Sequence, residues 1–474
     1  MEDNFSKKNN KTISSIVKVT LSNIIKLGAG ILVGFLLPKI IGIDDYGYYK
    51  TFTLYATYVG LFQIGIEDGI YLKYGGKNYE DLDKNLFCYY SKFLLIMQLV
   101  IAITFICGGL LITQSETKFI FVCLGVYLFA YNITGYYQFI SQITSRFNEL
   151  SFRNIVQSIF TSMSILVLFL ISHFNGNIFT YKEYTIIFVL IQFVLAIWYM
   201  YTYRDITFHV SKIDNSRKEI FQLIKIGFPL MIANLCLLLI LNIDRQFVNI
   251  LFDNQTYAVY AFAYNMLTLI STATTAIATV LYPTLKKTSI ENLNNKFYGI
   301  NSVVLSFVFL CLLVYYPLAM FVSWFLPKYE NSLIIFRIIL PGLAISSSIS
   351  IVFHNYYKVI GKNNIFFLIS LIILLFSFVA NLIGYIIFKN TISISIASVI
   401  VLFFWYILSE LYFIIKYKVK WIKNFIYLVI SIIAFYFITI INNPFIGFGI
   451  HVLIYIIITS LFYLKDIYNY KKGM

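Results

Sequence analysis

Apolar runs of about twenty residues or more, separated only by short polar or turn-forming clusters, recur from one end of this 474-residue chain to the other. A bilayer is crossed by ~20 mostly apolar residues in a helix, because a helix satisfies its own backbone donors and acceptors where no water can do so. Cutting the chain at the polar clusters predicts about fourteen spans. Seven lie at 13–43, 51–72, 86–113, 119–140, 155–173, 184–203 and 221–252. The other seven lie at 257–281, 297–326, 332–360, 365–388, 392–415, 421–441 and 445–464. Composition agrees, with 60% hydrophobic and 12% charged residues where a soluble domain carries about 25% charged. The expected fold class is therefore an all-α integral membrane protein.

The formal net charge is +15, which in a soluble protein would raise nucleic acid as a partner. Its distribution excludes that reading. If the N-terminus is cytoplasmic, 25 of the 36 Lys and Arg fall in alternating cytoplasmic segments, six on the other side, and five (Lys18, Lys26, Lys92, Arg245, Arg337) inside predicted helices. Cytoplasmic loops are expected to hold the basic residues, so an even number of spans with both termini cytoplasmic follows. The opening MEDNFSKKNNK leads into an apolar run without a small-residue cleavage site, so the first helix is expected to be retained.

The longest loop, at 204–220, is charged and stands between the sixth and seventh spans. It is the seam of a weak internal repeat: Asp45-Tyr46-Gly47-Tyr48-Tyr49 aligns with Thr256-Tyr257-Ala258-Val259-Tyr260, each following an odd-numbered span. The expected organisation is a six-helix lobe at 1–203, the cytoplasmic loop 204–220, a second six-helix lobe at 221–415, and two further spans with a short tail at 416–474. Two halves of this kind are a pseudo-two-fold transporter plan.

Charges inside a membrane cost roughly 2.5–3.5 kcal/mol each on insertion scales and mark functional positions. Lys26 lies near the middle of the first span, too deep for its stem to reach either interface easily. Asp244 and Arg245 are adjacent in the seventh span; neighbours on a helix point about 100° apart, so each needs a partner on another helix, for structure or for substrate. Glu67 and Asp68, flanked by Gly65 and Gly69 near the end of the second span, are either a solvated helix end or a gating or coupling element. Arg337 sits near the outer end of the tenth span, and Glu410 and Lys92 are expected at interfaces. Thr268, Thr272, Thr275 and Thr279 share one helical face, which suits a polar cavity wall or close helix packing.

Several motifs are missing or bland. No GxxxxGKT loop is present, so the chain is not expected to hydrolyse nucleotide itself. Asp81-Leu82-Asp83 reads as a solvated charge run, the four histidines are scattered, and the five cysteines lie in or beside apolar runs without a CxxC. No metal site or cofactor is expected.

With these residues in view, the chain resembles the bacterial polysaccharide repeat-unit flippases (O-antigen, capsule, exopolysaccharide) of the multidrug/oligosaccharidyl-lipid/polysaccharide exporter superfamily. The resemblance rests on Gly42-Ile43-Asp44-Asp45-Tyr46-Gly47-Tyr48, on Asp244-Arg245 before Tyr257-Ala258-Val259-Tyr260, on Tyr282-Pro283, and on Tyr356-Tyr357-Lys358-Val359-Ile360-Gly361-Lys362. It implies two lobes around a central cavity in a bacterial cytoplasmic membrane, and as cargo an undecaprenyl-diphosphate-linked oligosaccharide. It also implies membrane lipids as surroundings and a polysaccharide polymerase as partner. Lys26, Arg245 and Arg337 are then the cations that could meet the diphosphate, with Thr272 and Thr275 beside them and Asp244, Glu67 and Asp68 for gating or coupling. The rivals are a multidrug exporter of the same superfamily, which should show acids rather than a lysine at mid-depth, and an integral membrane glycan polymerase, which would need a sizeable outer loop.

Overall fold

The computed structural model describes residues 2–176, 179–208, 216–286, 290–441 and 443–472, and every regular element among them is a helix. The chain forms two compact units, residues 1–235 and 236–474. The first holds α1 (Glu2–Ile40), α2 (Ile43–Ala56), α3 (Ile66–Tyr74), α4 (Lys84–Leu110), α5 (Ser115–Ile143), α6 (Phe147–Asn175), α7 (Tyr181–Thr202), α8 (Arg204–Thr207) and most of α9 (Ser216–Ile240). The second holds α10 (Ile243–Leu251), α11 (Asn254–Lys286), α12 (Ile290–Cys311), α13 (Tyr315–Phe325), α14 (Ser332–Ile339) and α15 (Gly342–Ser347). It continues with α16 (His354–Val359), α17 (Asn363–Phe388), α18 (Thr391–Tyr417), α19 (Ile422–Ile438) and α20 (Pro444–Lys472).

This is a multi-span membrane protein. Among the described residues ten helices are long and apolar enough to cross a bilayer, or eleven if the pair Ser332–Ile339 and Gly342–Val359, bent by 43°, counts as one span. The three remaining segments expected from sequence fall on the shorter apolar helix α19, on α11, and on the broken stretch from α2 to α3.

The second segment is thus not the single helix expected from its apolar run. After α2 the chain makes a 3-10 turn at Val59–Gln63, then Ile64 and Gly65 take positive φ of 55° and 77° before α3 begins. A break at this depth frees carbonyls that cannot find water, and here two buried side-chain amides accept the task. Asn132 Nδ2 donates to the Val59 carbonyl at 3.0 Å and Gln98 Nε2 to the Phe62 carbonyl at 2.9 Å.

Glycines set the closest helix crossings of the first unit. A Cβ on Gly109 would lie 2.9 Å from Phe121 Cβ, and one on Gly125 2.7 Å from Ile106 Cγ1, so α4 and α5 meet as small-residue membrane interfaces do. Ile66, Ile70, Tyr74, Phe87, Tyr136, Tyr137, Tyr199 and Tyr203 build one buried core with Ile220 and Leu223 of α9. The Asp81-Leu82-Asp83 motif is spent on structure, since Asp83 caps α4 by accepting from the Asn85 and Leu86 backbone N–H groups. Among the described residues the five cysteines are free, and no group of three His, Cys, Asp or Glu gathers to hold a metal ion.

Candidate functional site

In the second unit a cavity of about 150 Å³ opens beside the junction of α9 and α10. The helix is interrupted at Leu241 and Asn242, and α10 restarts with Asn242 as its N-terminal flank. Asp244 in the first turn is therefore placed where a helix N-terminus favours negative charge, and its carboxylate accepts from the Arg245 backbone N–H at 2.7 Å. It also accepts from the hydroxyls of Tyr260, at 2.9 Å, and Tyr264, both one helix away on α11. Tyr260 and Tyr264 stand one turn apart on the same face, so one carboxylate can take both hydroxyls.

With Asp244 so engaged, Arg245 is not its ion-pair partner. The guanidinium lies 4.6 Å from the Tyr264 ring centroid and one Nη donates to the Leu241 carbonyl at 3.1 Å. Its Nε is buried and has no hydrogen-bond partner. The arginine reaches the cavity with donor capacity to spare, and Thr268, Ser271, Ser346 and Ser398 line the same space, the first three donating their hydroxyls to carbonyls of their own helices. A guanidinium with a free donor facing a cavity is a site for phosphate or carboxylate oxygen. The volume suits a small anionic group, not a glycan chain.

The other residues singled out from sequence are distributed elsewhere. Lys26 is exposed on α1 of the first unit. Arg337 does not line the cavity; it directs Nη1 to the Thr439 carbonyl at 3.4 Å, toward α19, where Tyr436 also donates to the Ile338 carbonyl. Thr272 turns its hydroxyl back on its own helix, onto the Thr268 carbonyl at 2.8 Å. Thr275 belongs to α11, but its side chain lies outside the described residues, as does that of Thr279.

Glu67 is not a solvated helix end. It is 2% exposed, one of its oxygens has no hydrogen-bond partner, and Asp68 beside it is half-buried. The carboxylate rests against Gly135 of α5, where a Cβ would come within 3.1 Å of both oxygens. Around it Gln63 Nε2 donates to Asn132 Oδ1 at 3.1 Å, and Asn132 Nδ2 donates to Gln98 Oε1 at 2.7 Å. Reading the sequence missed these amides, and it missed Tyr260, Tyr264, Ser346 and Ser398. The i,i+4 spacing of the two tyrosines, opposite a lone membrane aspartate, was the one available signal.

Residues 13–289 match the sequence profile of the family described as polysaccharide biosynthesis protein, which covers more than half of the chain. The chain belongs to that family. Lys26, Glu67, Asp68, Asp244, Arg245 and the threonines of α11 all fall within the matched region, whereas Arg337 lies beyond it. No curated protein matches the chain in sequence. Among solved structures, the lipid II flippase MurJ in an inward closed conformation matches with a TM-score of 0.72 at 18% identity, covering 96% of this chain and 100% of that one. An inward-facing multidrug resistance MATE family transporter of the MOP superfamily matches with a TM-score of 0.62 at 13% identity, covering 86% and 100%. A MOP superfamily transporter from Pyrococcus furiosus, noted for the reversed polarity of its binding pocket, gives 0.52 at 16% identity over 89% and 96%. The family member described here thus has the MOP-superfamily transporter fold.

Proposed function

We propose that this protein is a flippase that carries an undecaprenyl-diphosphate-linked oligosaccharide repeat unit from the cytoplasmic to the outer leaflet of a bacterial cytoplasmic membrane by alternating access. Arg245 carries the reading: a family member has placed a guanidinium with an unpartnered donor in a cavity of membrane-protein interior lined in part by serine and threonine. A bare diphosphate cannot cross hydrocarbon, and charge-assisted bonds from such a group replace the water it loses. In this reading fourteen spans cross the membrane with both termini in the cytoplasm, the lobes are 1–203 and 221–415, and 416–474 adds two spans. Lys26, Arg337, Thr272 and Thr275 complete the contacts to the cargo at other points of the transport cycle, and Asp244, Glu67 and Asp68 gate or couple it.

Outward movement of a doubly negative group is favoured by an inside-negative potential by about 4–5 kcal/mol per 100 mV, which supplies direction without nucleotide. Membrane potential or a counter-ion drives the cycle, and a polysaccharide polymerase receives the exported unit.

The test is deletion in a host that makes lipid-linked repeat units, with surface glycan and cytoplasmic precursor assayed together. Loss of surface glycan with accumulated precursor, restored by the wild-type gene and not by Arg245→Ala or Lys26→Ala at equal expression, is the expected result. Unchanged glycan with heightened sensitivity to cationic drugs would replace the flippase with a multidrug exporter.

A further inference from the structure

From residue 354 to residue 424 the chain carries seven lysines and a single acid, Glu410. Lys389 stands at one end of the hairpin of α17 and α18, where Ser393 Oγ donates to the Gly384 carbonyl at 3.0 Å. The other six belong to the opposite end, where α16 stops, α17 starts, α18 stops and α19 starts. That end is one place in space: the Tyr357 ring stacks on Tyr412 at 5.3 Å, and the Tyr357 hydroxyl donates to the Ser409 carbonyl at 3.0 Å. Glu410 is expected from sequence at this interface, yet it is 2% exposed, buried where the π-helical turn Ser348–Phe353 packs on α18. It is not part of the surface the lysines form.

Two turns present those lysines. Between α16 and α17, Gly361 takes a φ of +69° and the Lys362 N–H donates to the Tyr357 carbonyl at 2.9 Å, with Lys358 and Lys362 exposed on either side. At the end of α18, Lys418 holds a φ of +52°, uncommon for a residue with a Cβ, and its N–H donates to the Ile414 carbonyl. Val419 is then buried, which leaves Lys418 and Lys420 exposed beside it, and Lys416 is exposed one turn back. Among the described residues no salt bridge includes any of these five.

A basic excess on one side of a membrane is the ordinary topology rule, but it does not explain the missing acids. The first unit obeys the same rule and pairs its cations: Lys73 with Glu219 at 2.6 Å, Lys84 with Asp205 at 3.2 Å, Arg146 with Glu80 at 3.5 Å. Helix dipoles favour Lys358 and Lys416 in the last turns of α16 and α18, and leave their ammonium donors unused. The residue type narrows the partner further. No arginine follows Arg337 in the chain, so the surface has point charges on flexible stems and no planar fork for fixed, bidentate carboxylates. Such charges suit phosphates that exchange and reorient. Clusters of roughly four to eight basic residues beside a spanning helix attract anionic headgroups, and half-buried Tyr417 and Trp421 are the aromatic types that settle at headgroup level.

We propose that Lys358, Lys362, Lys416, Lys418 and Lys420 form a binding surface for the headgroup phosphates of anionic phospholipids at one membrane face of the second unit. The surface does not depend on what the cargo is, because it lies at the ends of α16 to α19 and not in the Arg245 cavity.

The experiment titrates the purified full-length protein, in neutral detergent micelles, with fluorescent phosphatidylglycerol and with fluorescent phosphatidylcholine. The wild type should bind phosphatidylglycerol more tightly, and the preference should shrink as sodium chloride is raised. A lysine near a charged lipid surface contributes roughly fivefold in affinity, so Lys418→Gln with Lys420→Gln should weaken phosphatidylglycerol binding by about tenfold or more at an unchanged melting temperature. Replacing all five lysines by glutamine should abolish the preference, and Lys389→Gln, at the other end of the hairpin, should keep it. Should the five-site variant fail to fold, the double variant and the salt dependence of the wild type carry the test. Equal affinity of the wild type for the two lipids, or a preference that survives the double variant, overturns the proposal. So does stronger binding of a soluble polyglutamate peptide or of inorganic phosphate at the same lysines, which would make the partner an acidic protein segment or a free anion.

Discussion

Gly227 of α9 lies so close to Gly65 at the start of α3 that a Cβ on it would run into the Gly65 carbonyl oxygen and the Gly69 amide nitrogen. The reciprocal position is as tight, since a Cβ on Gly65 would lie 2.6 Å from the Phe228 backbone nitrogen and Gly65 also holds a φ of +77°. Main chain cannot swing aside as a flexible side chain can. Gly227→Ala and Gly65→Ala should each lower stability by about 1–3 kcal/mol, the usual range for overpacking. Gly299→Ala, with nothing within 4 Å of its Cβ, is the control and should be neutral or mildly stabilising. Melting temperatures in detergent decide this: equal values for Gly227→Ala and Gly299→Ala would mean the crossing is looser than described.

Arg245 offers the cleanest separation of charge from geometry. One charge-assisted hydrogen bond contributes about 1.5–3 kcal/mol, and 1.4 kcal/mol is tenfold in affinity. Arg245→Ala should therefore reduce transport about tenfold or more. Arg245→Lys keeps the charge and loses the planar fork stacked on Tyr264, and should fall between the two. Binding of soluble diphosphate to the purified variants measures the same ranking apart from transport, and full binding by Arg245→Ala would remove this arginine from the site.

Glu67 has an oxygen without a donor in a cluster otherwise satisfied by amides. A neutral amide of the same shape keeps the packing. Glu67→Gln should leave the melting temperature unchanged or raise it, while transport loses its dependence on the coupling gradient. A destabilisation beyond about 1 kcal/mol, the scale of a lost hydrogen bond, would show that Glu67 is firmly paired in the fold.

At the membrane surface, Tyr79 lies between two cations, with Lys84 Nζ 3.1 Å and the Arg146 guanidinium carbon 3.6 Å from its ring centroid. Its hydroxyl donates to Asp205 at 2.6 Å, and Lys84 reaches the same carboxylate at 3.2 Å. Burial pushes the Asp205 carboxyl up, but the Tyr79 hydroxyl and Lys84 outweigh it and hold the group below its ordinary value. A depressed acid contributes stability that is complete above the unfolded value of about 3.9 and is lost as pH falls through the lower folded value. Because Asp205 is half-exposed, the contribution should be under about 1 kcal/mol. Melting curves of wild type and Asp205→Asn should converge on acidification below about pH 4 and separate above it; a constant gap at all pH values would refute the assignment.

How much of this was legible in the sequence follows from what each signal measures. Hydropathy reports how apolar a stretch is and not whether its backbone is continuous, so the apolar run at 51–72 gave a span and hid the break at Ile64 and Gly65. The break leaves a mark only through Gln63, Gln98 and Asn132, whose meaning depends on their meeting across three segments. Membrane charges were easy to find because each is costly, yet their partners were not. The aspartate of Asp244-Arg245 is held by two tyrosines on another helix, and tyrosine is too common in this chain for that to stand out. Glu410 was assigned to the interface because a position near a segment's end usually means access to water. The packing of the π-turn against both α12 and α18, in the region where Glu410 is buried, has no local signature.

The α9 helix begins after the polar loop, where topology would divide the protein in two, yet Ile220 and Leu223 lie in the first unit's core and Gly227 closes on Gly65 and Gly69. The seam drawn by the loop is therefore not the seam drawn by packing. A gene severed in the loop would give an N-terminal fragment with an unfilled groove along α3 and a C-terminal fragment that begins with the helix shaped to fill it. Neither piece would be a module in its own right, and the first could complete its own interior only by recruiting the second.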